Sequence, residues 1–136
     1  MKTVYIVSSI KSLNHDYEHL QWLRLFFLSY GYHISEDWIS HSLNVRNNRP
    51  YFKAAPDFDY MKVATETIRS ADKLVFLMSE SSAFTLTLLR YALHLKRHII
   101  VVCQSSTVLQ NLEKKEEELV TVLHFGDYQK QMSEVV

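Results

Sequence analysis

Glycine is nearly missing: Gly31 and Gly126 are the only two in 136 residues, where average usage of about 7% would give roughly nine or ten. The Gly-x-Gly-x-x-Gly turns of dinucleotide folds and the Walker-type phosphate loops need glycines so that backbone N–H groups can approach an anion. The chain has no such cluster at a strand-to-helix turn, which excludes dinucleotide binding of that kind and P-loop hydrolysis. Cysteine is scarcer still. Cys103 stands alone, so an intramolecular disulfide and a cysteine-rich zinc site are both excluded, and a reducing, cytoplasmic compartment is expected. Charge of one sign is also lacking: fifteen basic residues balance fifteen acidic ones and the pI is about 7.1. No nucleic acid or anionic membrane is expected as a partner on global electrostatic grounds. No stretch reaches the ~20 apolar residues of a membrane span. The run Val4 to Ile10 has no cleavage site and is interrupted by Ser8 and Ser9, so no signal peptide is expected.

The remaining composition, 47% hydrophobic and 22% charged, suits a soluble packed domain. The length leaves room for one, spanning 1–126, followed by a tail over 127–136 that reads as a short helix or disorder. Val4 to Val7 reads as a strand buried on both faces. Leu20, Leu23, Phe27 and Tyr30 then recur at helical spacing, with Asn14 or Asp16 as the cap and Gly31 as the stop. A second strand is expected over His33 to Trp38, and a long loop over Ile39 to Pro56. Asp57 or Asp59 would cap a helix burying Met61, Ala64, Thr65 and Ile68. Three further strands are expected at Lys73 to Met78, Ile99 to Cys103 and Leu119 to Phe125. Helices at Phe84 to Leu95 and from Ser105 or Ser106 to Glu117 separate them. Strand and helix alternating at crossover lengths define an α/β fold: a five-stranded parallel sheet with helices on both faces. The simplest order is the flavodoxin-like 2-1-3-4-5, which binds ligands where the strand order reverses, outside the carboxyl ends of the first and third strands.

That rule selects three loops. Ser8, Ser9 and Lys11 follow the first strand; Ser79, Glu80, Ser81 and Ser82 follow the third; the pair Asp37-Trp38 follows the second. Hydroxyls and a carboxylate suit a polar ligand, and an aspartate beside an indole suits a ribose hydroxyl and a stacked base. Serines ahead of helices also serve as ordinary caps. Tyr5 can aim a phenol at the site or sit in the core. Asp57 and Asp59 can reach the crevice, although a helix cap accounts for one of them. Arg46 and Arg49 suit a phosphate or carboxylate. His15 and His19 share a helix face at i, i+4 spacing, but no third ligand is evident, so no metal and no other cofactor is expected. Cys103 in a β-branched run reads as a small core residue.

The opening Val4-Tyr-Ile-Val-Ser-Ser9, the pair Asp37-Trp38 and the stretch Ile68-Arg-Ser-Ala-Asp-Lys-Leu-Val-Phe-Leu77 carry a resemblance, together with Tyr91-Ala-Leu-His-Leu-Lys-Arg-His-Ile-Ile100. They resemble the nucleoside deoxyribosyltransferase-like family, which is related in fold to TIR domains, over about residues 2 to 103. The resemblance implies cleavage of an N-glycosidic bond by a glutamate on the third helix, assisted by a first-strand tyrosine, matched by Tyr5, and by aspartates, matched by Asp57 or Asp59. The glutamate is not matched. Its position falls at Leu88, and no residue from Ser81 to Arg97 is acidic. Glu80 is the nearest carboxylate. A carboxylate beneath the anomeric carbon is the usual means of stabilising the sugar cation or trapping it. The expectation is therefore a nucleoside- or nucleotide-binding or protein-interaction module whose catalysis is lost or rearranged. The alternative is an active deoxyribosyltransferase, nucleotide N-glycosidase or NAD hydrolase using Glu80 or a loop aspartate. The helix from Phe84 is apolar around more of its circumference than one sheet-facing stripe requires, which leads us to expect a homo-oligomer.

Overall fold

The computed structural model describes residues 1–37, 43–46, 49–54, 57–79, 82–105, 109 and 112–136, with only the backbone described at 43–46, 49 and 50. Five strands form the central parallel sheet: β1 (Thr3–Val7), β2 (His33–Ile34), β5 (Lys73–Met78), β6 (Ile99–Cys103) and β7 (Val120–His124). Their order is β2-β1-β5-β6-β7. The intervening β3 (Leu43–Arg46) and β4 (Arg49–Phe52) pair with each other in a separate two-stranded sheet, so the central sheet's own strands run in the flavodoxin-like sense. Register places Tyr5 beside Leu74, Phe76 beside Val101, and Val101 beside Val122. Val4 to Val7, Leu74 to Met78 and Ile99 to Cys103 are all buried. Helices on both faces cover such strands, which is why they read as unbroken apolar runs.

The helices are α1 (Ile10–His15), α2 (Tyr17–Ser29), α3 (Tyr60–Ser70), α4 (Ala83–His94), α5 (Lys114–Glu117) and α6 (Tyr128–Val135). Ser9, Asp59 and Ser82 cap α1, α3 and α4, each accepting from an amide three residues on, worth ~1 kcal/mol apiece. Residues after 126 form α6, which buries Tyr128 and Met132 against the core. Trp22 meets the Tyr128 ring edge-on at 5.1 Å, and a 2.8 Å hydrogen bond joins His19 Nδ1 to the Tyr128 hydroxyl. No helix among the described residues is long and apolar enough to cross a membrane.

Several local expectations need correction. The segment expected as a loop from Ile39 to Pro56 contains the β3-β4 hairpin, with Leu43 opposite Phe52 and Arg46 opposite Arg49. Asn14 does not cap a helix. Its side chain clasps that hairpin, donating to the Phe52 carbonyl at 2.8 Å and accepting from the Phe52 amide at 2.6 Å. Helical structure begins earlier than expected, at Ile10, and is interrupted at Asp16 (φ −118, ψ 33). The second strand ends at Ile34, because the chain turns through Ser35 and Glu36, the latter at φ 43. In α3 it is Thr67, and neither Met61 nor Thr65, that is buried with Ala64 and Ile68; its hydroxyl donates to the Val63 carbonyl at 2.7 Å, so its burial leaves no unsatisfied donor. The helix expected from Ser105 or Ser106 to Glu117 is α-helical over Lys114–Glu117, whereas Ser105, Leu112 and Glu113 are not helical, Glu113 being extended at ψ 155; 106–108 and 110–111 lie outside the described residues.

Candidate functional site

At the carboxyl edge of the sheet, β1 and β5 end side by side, with Val7 paired to Phe76. The loops that leave them are stitched together. Ser12, 1% exposed, accepts from the Ser79 amide at 3.2 Å, and its Oγ lies 2.8 Å from Ser79 Oγ. The Ser12 hydroxyl donates to Asp16 at 3.1 Å, which makes the Ser79 hydroxyl the donor toward Ser12. Beside this stitch lies a pocket of about 210 Å³ lined by Ser8, Ser9, Ile10, Tyr60, Ser82 and Phe84. It occupies the crevice selected by the reversal of strand order.

The serines of this pocket already have structural duties. Ser9 Oγ accepts from the Ser12 amide at 3.0 Å, and Ser82 Oγ accepts from the Thr85 amide at 3.1 Å and lies 2.7 Å from Thr85 Oγ1. The Ser8 hydroxyl donates to the Ser9 carbonyl at 3.2 Å. Capping therefore accounts for two of the predicted serines and places them on the pocket wall at the same time. Ile10, Tyr60 and Phe84 were not predicted as site residues. All three stand in the first turn of a helix that starts at this edge of the sheet.

The other predicted residues are distributed around this pocket or away from it. Tyr5 is fully buried in the core and is not among the pocket's lining residues. Burial, with a smaller contribution from Glu36, holds its hydroxyl far above the ordinary tyrosine range, so it stays protonated. Asp37 forms a 2.6 Å ion pair with Arg24, which also donates to Gln21 at 2.8 Å; this pair lies in a separate crevice with Ile6, Leu20, Ile34 and Glu36. Asp59 accepts from the Lys62 amide at 3.0 Å as a helix cap, and Asp57 is exposed in the preceding turn. Trp38, Glu80 and Ser81 lie outside the described residues, as do the side chains of Arg46 and Arg49. Cys103 is buried and desolvation pushes its thiol upward, so it is a core residue with little thiolate character. His19 bonds the Tyr128 hydroxyl through Nδ1. Among the described residues, no three His, Cys, Asp or Glu side chains gather to hold a metal.

Leu88, which stands where the resemblance would place a glutamate, is fully buried and does not line the pocket. A carboxylate there would be an unpaired buried charge. Among the described lining residues there is neither a carboxylate nor a cation. Three hydroxyls, a phenol and two apolar side chains can hold an uncharged ring by stacking and hydrogen bonding. They offer nothing to stabilise a developing sugar cation.

The architecture is thus an α/β fold of flavodoxin-like type with a pocket at its switch point. No family model matches the chain, and no curated protein or solved structure matches it either.

Proposed function

We propose that this chain is a nucleoside-binding module, a divergent relative of the nucleoside deoxyribosyltransferase-like and TIR-related proteins, in which base release is weak or absent. The observation that carries the reading is the pocket at the carboxyl ends of β1 and β5, lined by serines together with Tyr60 and Phe84. Its 210 Å³ lies below the ~300 to 1,000 Å³ of pockets for drug-sized ligands, which suits a base or a small nucleoside. The aromatic side chains supply a stacking surface, and the hydroxyls supply hydrogen bonds to base edges or sugar hydroxyls.

A second reading, an N-glycosidic-bond enzyme, draws support from chain proximity. Glu80 directly follows Ser79, which is stitched to Ser12, and stands two residues before Ser82. Incubation with deoxynucleosides, nucleoside monophosphates and NAD, with chromatography of the free base, separates the two. The binding module gives saturable binding that Phe84→Ala weakens, without base release. Turnover abolished by Glu80→Gln would establish the enzyme in its place.

Self-association through α2 is a further part of this proposal. Of the apolar residues around α4 that motivated it, Leu88, Leu89, Ala92 and Leu93 are buried within the chain itself and Phe84, Leu86 and Tyr91 are half-buried, whereas Leu25 (65% exposed) and Leu28 (48%) are open on α2. Sedimentation of the natural protein and of a Leu25→Glu, Leu28→Glu variant tests it; a natural protein that sediments as a monomer at high micromolar concentration rules it out. A cytoplasmic location is proposed from the single, buried thiol.

A further inference from the structure

The opposite edge of the sheet carries a larger cavity. Its volume is about 710 Å³, within the ~300 to 1,000 Å³ range of small-molecule sites. It lies between the carboxyl half of α4 and the short α5, beside the amino ends of β6 and β7, where the Ile99 amide donates to the Leu119 carbonyl at 2.8 Å. Leu93 and Leu119 supply apolar surface. Arg90, His94, Lys96 and Lys115 supply basic groups, against the carboxylates of Glu113 and Glu116. Both carboxylates are engaged locally: Glu113 lies 3.4 Å from Lys115, and Glu116 accepts from the Glu113 amide at 2.9 Å, closing a capping box. Among the described residues, Arg90 and Lys96 have no ion-pair partner. A chain of zero formal net charge therefore brings to one partly apolar groove two cations that have no ion-pair partner among the described residues.

A second, independent observation comes from the backbone. Lys96 sits at φ 58, the left-handed region. It closes α4 with the Lys96 amide donating to Leu93 and the Arg97 amide donating to Ala92. In that motif the left-handed position belongs to glycine, sometimes to asparagine. A lysine there is strained, and strained residues of this kind concentrate at functional sites. The strained residue is also one of these two cations.

We propose that this groove is a binding site for a phosphate monoester with an apolar body. The phosphate, carrying close to two negative charges near neutral pH, lies against the Arg90 guanidinium and the Lys96 ammonium. The apolar portion covers Leu93 and Leu119. This site is distinct from the serine-lined pocket, since the two lie at opposite ends of the strands.

The test uses phenyl phosphate, inorganic phosphate and phenol as probes at constant ionic strength, followed by amide chemical shifts and calorimetry on the whole chain. Phenyl phosphate should bind more tightly than inorganic phosphate or phenol and should shift amides in 90–96 and 112–119. Arg90→Gln and Lys96→Gly should each weaken it by about tenfold or more, the loss of one charge-assisted hydrogen bond. Lys96→Gly should also raise Tm by a few degrees, because it relieves the left-handed strain. The proposal is overturned by absence of binding, by shifts confined to the amides of Ser8, Ser9 and Ser82, or by unchanged affinity in both variants.

Discussion

Two helices in this molecule end with the same hydrogen bonds and different residues. At the end of α2, the Gly31 amide donates to Leu28 and the Tyr32 amide to Phe27; at the end of α4, the Lys96 amide donates to Leu93 and the Arg97 amide to Ala92. The first end has the expected parts. Gly31 takes φ 83 without steric objection, and the Tyr32 ring packs edge-on against Phe27 at 5.3 Å, the apolar contact that usually seals such an end. The second end has neither glycine nor apolar seal. Arg97 replaces the seal, reaching across to the carbonyls of Ile68 and Ala71 at the end of α3, so this end is held by tertiary bonds. A helix terminus can therefore keep an unfavourable residue when a neighbouring side chain fixes the exit path.

The comparison can be broken at four points. Tyr32→Ala should have the largest effect, about 3 kcal/mol lost in urea unfolding, since it removes a nearly buried aromatic ring and its edge-on contact with Phe27. Arg97→Ala should cost roughly 2 kcal/mol by removing two charge-assisted bonds, and Arg97→Lys should recover only part of it because an ammonium lacks the fork. If Arg97→Ala were neutral, the α4 end would be shown to hold itself. Gly31→Ala should cost about 1 kcal/mol from backbone strain alone, because nothing lies within 4 Å of the added Cβ. The smallest effect is acid dependence near the Arg97 end. The Thr3 amide donates to the Asp72 carboxylate at 2.8 Å, the Thr3 hydroxyl adds a second bond, and together they hold Asp72 below the usual aspartate range. With its folded-state value lowered, Asp72 stabilises the fold above its unfolded value and loses that contribution as pH falls through the folded one. Thr3→Val should flatten this part of the acid limb in pH-dependent unfolding.

The sheet was legible because β1, β5 and β6 are covered on both faces and so are written as runs of Val, Ile, Leu and Phe. The pocket's location followed from strand order alone. Its aromatic lining did not: Tyr60 and Phe84 have no local pattern that distinguishes a helix's first turn at a crevice from one elsewhere. The hairpin was hidden by its own composition. Leu43 to Arg46 alternates apolar and polar residues for only four positions, and Pro50 stands within β4, where proline argues against a strand except in a ribbon or at an edge. Asn14 and Arg97 were misjudged or unassigned for a common reason. Their partners, Phe52 and the carbonyls at 68 and 71, are distant in sequence, and no periodicity encodes such bonds.

The docking of α6 has a consequence for the order of events during synthesis. The bond between His19 and Tyr128 spans 109 residues, and at ~5 to 20 residues per second the second partner follows the first by on the order of ten seconds. Until then the His19 and Trp22 side of α2 has nothing from α6 to cover it. The nascent chain therefore leaves the aromatic His19 and Trp22 side of α2 without its Tyr128 partner until that residue has been made and has docked.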